Sequence, residues 1–224
     1  TTFSHPYLLA IASHYFENTD IGEPEFINSI FMKFTDEMLN RLPKTDDKFL
    51  AQKIIDEYCS MLLNTHSYHS ITKFTLLSNE KFTKNRDEAY KVLTELIDIN
   101  LFTGSLSFES IRISHDRIEE YLLFRFIYFS NNSLELISSA MKLLTVDSIF
   151  SNSIQKCIDK LLYEHRYSIV IDNVSNWYNI NPQIIPTIIS SALLNLEKNS
   201  CIDFFNRVLV CEKSDLIIKI VLLG

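Results

Sequence analysis

The stretch Ser107-Phe-Glu-Ser-Ile-Arg-Ile-Ser-His-Asp-Arg-Ile-Glu-Glu-Tyr-Leu-Leu-Phe-Arg-Phe-Ile127 decides how this chain is read. Leu106 and Phe108, then Ile111 and Ile113, alternate with polar residues, the period of a half-buried strand. Glu109-Ser110 offers a tight turn between them, so a hairpin is expected, though without an Asn-Gly pair. At Ser114-His115-Asp116 the period changes to that of a helix. Ser114 is a suitable N-cap, and Asp116 complements the helix dipole in the first turn. Beyond Tyr121 the helix is apolar almost all round to Phe129, as expected of a helix buried on more than one side.

Upstream of this corner, Leu50, Ile54, Tyr58, Met61 and Leu62 form a helical stripe. Thr65 to Ser78 reads as a turn with a short helix. Asn85 to Asn100 is helical again, with Ala89, Leu93, Leu96 and Ile97 inward. Helix, helix, helix, hairpin, helix is the order of a winged helix-turn-helix, which assigns 47–130 to one small domain. Residues 1–46 read as a helical segment. Pro6 opens a short helix, Pro24 starts a second, and Lys44-Thr-Asp-Asp47 serves as a linker. Residues 131–224 read as paired helices, over Ser133–Leu144, Ser151–Tyr163, Tyr167–Tyr178, Pro182–Leu196, Cys201–Val210 and Asp215–Leu223. The pairs recur at roughly 33 to 35 residues, an α-solenoid spacing. The predicted fold class is mainly α: a helical domain, a winged helix with one β-hairpin, and solenoid-like helix pairs.

Composition narrows the function. Hydrophobic residues make up 46% of the chain and charged residues 22%, an ordinary globular balance. Only three glycines occur, Gly22, Gly104 and Gly224, and neither G-x-x-x-x-G-K-[ST] nor G-x-G-x-x-G is present. The net charge is −7. The candidate recognition helix sets Arg86 and Lys91 against Asp87, Glu88, Glu95 and Asp98, so charge argues against DNA. The aromatic residues interleave with Leu and Ile at helical spacing and read as core rather than as a stacking platform flanked by Lys and Arg. Cys59, Cys157, Cys201 and Cys211 form no metal-binding spacing and read as buried reduced thiols. His66 and His69, in a polar turn, lack the partners that a His-Asp metal enzyme needs. No apolar run is long enough to cross a membrane, and a cytoplasmic location is expected.

The run Ile111-Arg-Ile-Ser-His-Asp-Arg-Ile-Glu-Glu-Tyr-Leu-Leu123 resembles the winged-helix segment of STAND P-loop NTPases, the NACHT and NB-ARC group. In that family a hydrophobic strand leads into a Ser-His-Asp-type motif and a helix often containing Glu-Tyr. Here Ser114-His115-Asp116 and Glu120-Tyr121 hold those positions. Ser4-His-Pro-Tyr-Leu-Leu9 is similar to the proline segment that opens the family's helical domain. The resemblance covers 1–130 by motif and 131–224 by architecture. It implies nucleotide-contacting positions at His115, Ser114 and Pro6, with His115 on the β-phosphate of ADP in a closed state, Pro6 near the adenine, and Asp116 supporting the corner. ADP or ATP would belong to the parent protein. The partners implied are an upstream nucleotide-binding domain and a protein ligand on the helical repeats. The chain departs from the family in lacking the P-loop and Walker B strand, which are expected before Thr1; both ends read as cuts through a longer protein. A non-catalytic regulatory role in sensing or defence follows. A winged-helix DNA-binding regulator and a helical-repeat scaffold are the alternatives.

Overall fold

A computed structural model describes residues 24–65, 71–104, 110–144 and 148–224, the side chains of 24–28 and 148 excepted. The described residues form eleven helices and one two-stranded antiparallel sheet, the mainly α architecture with a hairpin that the periodicities predict. The expected helix over Tyr7 to Phe16, with Pro6, lies outside the described residues, as do His66, His69, Leu106 and Phe108. The chain divides into two compact units between Tyr121 and Leu122.

In the first unit, α1 spans Pro24–Asn40, and proline suits its first position because that N–H would have no helical partner. Ile30, Phe31, Phe34 and Met38 are buried at helical spacing. Helix α2 spans Thr45–Thr65. It takes up most of the expected Lys44–Asp47 linker, because Asp46 and Asp47 fall in its first turn, where the helix dipole favours acids. Ala51, Ile54, Ile55, Tyr58, Cys59 and Leu62 form its buried face. Helix α3, Lys73–Leu77, opens on a reciprocal cap in which Thr72 Oγ1 accepts from the Thr75 N–H and Thr75 Oγ1 accepts from the Thr72 N–H. A 3₁₀ turn, Glu80–Phe82, follows. It is tied to α2 where Asn79 Nδ2 and Lys81 Nζ each reach the Glu57 carboxylate at 2.6 Å.

Helix α4 spans Arg86–Asp98 and packs on α2 and α3. It ends in a Schellman turn: Asn100 takes φ 61, its N–H donates to Ile97 O, and the Leu101 N–H donates to Leu96 O. In a chain with three glycines, asparagine fills the left-handed position it tolerates best. Strands β1, Phe102–Thr103, and β2, Arg112–Ile113, then pair with Phe102 opposite Ile113 and Thr103 opposite Arg112. This first strand lies before the expected Leu106–Phe108 alternation, which together with Glu109 falls outside the described residues. Ser110 bridges to Thr72, and the Ile111 N–H donates to Ile71 O at 2.7 Å. This short bridged edge, in the ambiguous Thr65–Ser78 stretch, lies between α2 and α3. Gly104 leaves β1 at φ +124, where a Cβ would meet Ile111 Cγ2 at 2.8 Å. Helix α5 spans Asp116–Tyr128.

The second unit begins within α5 and continues through α6 (Ser133–Met141), α7 (Ser148–Tyr163), α8 (Tyr167–Ile180), α9 (Ile185–Leu194), α10 (Lys198–Leu209) and α11 (Ser214–Leu223). Helices α7, α9 and α11 pack in succession as one row, and α8 packs on both α6 and α10 in a second row. Two rows of alternating helices give the helical-repeat arrangement expected from the spacing. Pro186 rather than Pro182 opens α9, and in the first turn its missing N–H breaks no helical bond. The core includes Ile154, Tyr167, Val170, Trp177, Ile189 and Phe204, with Tyr167 and Phe204 edge to face at 5.8 Å. At the end of α7, His165 takes φ 56 and closes a second Schellman turn with Arg166 N–H on Leu161 O.

Candidate functional site

The Ser114-His115-Asp116 corner is fixed from two sides. From one side, the Ser114 N–H donates to Leu101 O at 3.0 Å, and its Oγ donates to Asn100 O at 2.5 Å. The Schellman turn of α4 thus holds Ser114, two residues before α5. The serine hydroxyl is spent on that carbonyl. His115 takes the cap position instead, its carbonyl accepting from the N–H groups of Ile118 and Glu119 at 3.0 and 2.9 Å. His115 is half-buried, and Asp116 is exposed. Pro6, the third expected contact, lies outside the described residues.

Behind the corner the structure assembles a polar cluster that sequence reasoning missed. Strand alternation buries Ile111 and Ile113 and turns Arg112 to the other face. From there one guanidinium nitrogen, Nη2, reaches Asp116 Oδ1 at 2.7 Å and Glu119 Oε2 at 2.9 Å. Glu119 is 1% exposed, and the hydroxyl of Tyr58 on α2 donates to its other oxygen. Tyr58 in turn lies edge to face with Phe102 on β1 at 5.3 Å, a contact worth about 0.5–1.5 kcal/mol beyond area burial. Burial pushes the Glu119 carboxyl up to about 7, against the opposing hydrogen bonds from Tyr58 and Arg112 and the charge of Arg112. Beside it on the same helix, Arg117 pairs with the buried Glu120 at 2.9 Å. The cluster can therefore hold or release a proton near neutral pH, and it couples α2, β2 and the start of α5. The visible hint in the sequence was two adjacent glutamates entering an otherwise apolar helix.

A second cluster lies in the other unit. Tyr128 Oη donates to Glu164 Oε2 at 2.5 Å, Arg166 Nη1 donates to Tyr128 Oη at 3.3 Å, and Lys160 Nζ stands 3.2 Å from Glu164 Oε1. Burial, then the hydrogen bond to Glu164, raises the Tyr128 hydroxyl to about 12. For Glu164, burial acts upward, but the hydrogen bonds from Tyr128 and Lys160 and the nearby cations outweigh it, so its pKa falls below the usual value. Near the end of this unit, Leu194, Leu196, Cys201, Ile202 and Phe205 line an open apolar groove between the end of α9 and α10.

Among the described residues no group of three or more His, Cys, Asp or Glu side chains is placed to hold a metal ion. Cys59 and Cys157 are buried, whereas Cys201 and Cys211 are half-exposed, which corrects the expectation of four buried thiols. No described helix is long and apolar enough to cross a membrane. Comparison with family models, with curated proteins and with solved structures finds no match for this chain.

Proposed function

We propose that this chain is a non-catalytic regulatory module of STAND type, in which the His115 corner meets a nucleotide phosphate and the helical pairs carry a protein ligand. The observation that supports it most is the placement of His115. The residue caps α5, is half-buried rather than packed away, and follows Ser114, which Asn100 and Leu101 hold from behind. A helix start offers backbone N–H groups to an anion, and an imidazole beside them adds a donor. The acids of that first turn, Asp116 and Glu119, are engaged by Arg112, and the following Glu120 by Arg117. In this reading Ser114 positions the corner through its bond to Asn100, and the phosphate contact falls to His115.

The nucleotide would be supplied by a P-loop domain preceding Thr1, and the α9–α10 groove is the apolar surface available to a protein ligand. Duplex DNA is disfavoured because Asp87, Glu88 and Asp98 are exposed on α4. A longer chain that includes the upstream domain is expected to purify with bound ADP. Replacing His115 with alanine there is expected to speed ADP release roughly tenfold, the loss of one charge-assisted hydrogen bond. An unchanged release rate rejects the role given to His115.

A further inference from the structure

The second unit carries an apolar stripe that its own packing leaves uncovered. Of the side chains of α10, the core takes Phe204 and Val208. Arg207 lies 5.4 Å from the Tyr167 ring centre, so its side of the helix faces α8. Cys201, Phe205 and Leu209 follow one another at one-turn intervals and run with Ile202 along the opposite side. Cys201 and Phe205 are half-buried there, and Ile202 and Leu209 are exposed. Helix α11 packs on both α9 and α10 and still leaves this side open.

The two ends of the stripe differ in shape. At the start of α10, Leu194 and Leu196 join Cys201, Ile202 and Phe205 in the open groove described above. At its end, Leu209 projects, 64% exposed, and Val210 follows it, 87% exposed. Hole and knob therefore lie along one helix, about 12 Å apart from Cys201 to Leu209 at the helical rise. The flanking charges have a matching order. Glu197-Lys198 stand exposed beside the groove, and Glu212-Lys213 stand exposed in the turn after the knob. Because acid precedes base at both ends, an antiparallel copy sets every acid against a base.

We infer that this face binds a second copy of the same chain, α10 against α10, antiparallel about a two-fold axis at Phe205. In that register Leu209 of each copy enters the other's groove beside Cys201, Lys198 meets Glu212, and Glu197 meets Lys213. A hole and a knob on one helix cannot meet within one chain. A reversed copy fills both at once, and the two-fold axis closes the assembly at two chains. An unrelated apolar helix fills the groove but leaves the knob in water. The inference names the occupant of the groove that the preceding reading gives to a protein ligand, and rests on that reading to this extent; it does not depend on His115.

The test is sedimentation equilibrium of the whole chain over a range of concentrations. A monomer–dimer equilibrium with Kd on the order of 10 μM is expected, since one helix face and its flanking turns make a small interface. Leu209→Asp, at an exposed position that leaves the core intact, is expected to weaken the dimer about tenfold or more. Lys198→Glu is expected to weaken it about fivefold, and adding Glu212→Lys to restore it to within about twofold. Leu209→Cys combined with Cys211→Ser, oxidised with diamide, is expected to link position 209 of one copy to Cys201 of the other, because only facing positions come within disulfide reach. A chain that stays monomeric, a dimer indifferent to Leu209→Asp, a charge exchange that restores nothing, or a link between the two copies of position 209 would overturn the inference. Self-association together with ADP release that ignores His115→Ala upholds the inference and rejects the nucleotide reading. A monomer whose ADP release depends on His115 does the reverse.

Discussion

The Tyr58 hydroxyl donates to the Glu119 carboxylate in the interior of the first unit, across 61 residues of sequence. Glu119 also accepts from Arg112, so a buried acid is held by one neutral and one cationic donor. Burying an acid costs less when it is hydrogen-bonded on both oxygens, but the cost here is still large enough to move its proton affinity.

Stability should therefore depend on pH through Glu119. Its folded pKa, about 7, lies above the ordinary 4.5, so the folded state binds the proton more tightly. The contribution is fully present below pH 4.5 and is lost as pH rises through about 7. In full it amounts to roughly 3 kcal/mol. Urea unfolding at pH 5 and pH 8 is expected to show the loss, and Glu119→Gln is expected to flatten it. Parallel pH profiles for the two chains would refute the assignment.

Tyr58→Phe removes the neutral donor and leaves the ring packed against Phe102. At pH 8, where Glu119 is ionised, the loss is expected to be about 1–3 kcal/mol, the range for a buried group deprived of its partner. At pH 5 the carboxyl is protonated and the loss should be smaller. Chemical denaturation at both values distinguishes this from simple packing damage, which would cost the same at each.

Asn100 supplies the left-handed residue that ends α4 and accepts the Ser114 hydroxyl through its backbone. Asn100→Gly should leave thermal stability unchanged or slightly improved. Asn100→Val should cost on the order of 1–2 kcal/mol, because a β-branched residue is poorly tolerated at positive φ. Equal melting temperatures for the two variants would contradict the turn geometry.

The four thiols should fall into two classes. Cys201 and Cys211, half-exposed, are expected to alkylate in the folded chain. Cys59 and Cys157 are buried, and burial drives the Cys157 thiol far above its ordinary range, so neither should react until denaturant opens the fold. Peptide mapping after iodoacetamide treatment, with and without urea, separates the classes.

Much of this architecture is legible from local pattern. The helices of the second unit start within a few residues of where their apolar spacing and polar breaks place them, because each helix buries one face and the 3.6 period records which. Pro24 and the corner at Ser114-His115-Asp116 were legible for the same local reason, a change of period or a restricted backbone. The strand positions were less so. The second strand was marked by Ile111 and Ile113, whereas Phe102-Thr103 is too short to show alternation. The Thr72 to Ser110 bridge has no local mark, since a single bridge leaves no periodic trace.

By itself, the sequence determined the helical class, the order of elements up to and beyond the corner, and the absence of a phosphate loop within these residues. Those properties follow from spacing along one chain. Only the tertiary structure decided that Tyr58 meets Glu119, that Ser114 spends its hydroxyl on Asn100, and that Lys73 lies on Tyr90 while Arg86 lies on Phe74. Each of these pairs joins residues on different elements. Which side chains meet across elements is set by packing and register, and neither is written in the local period of any one segment.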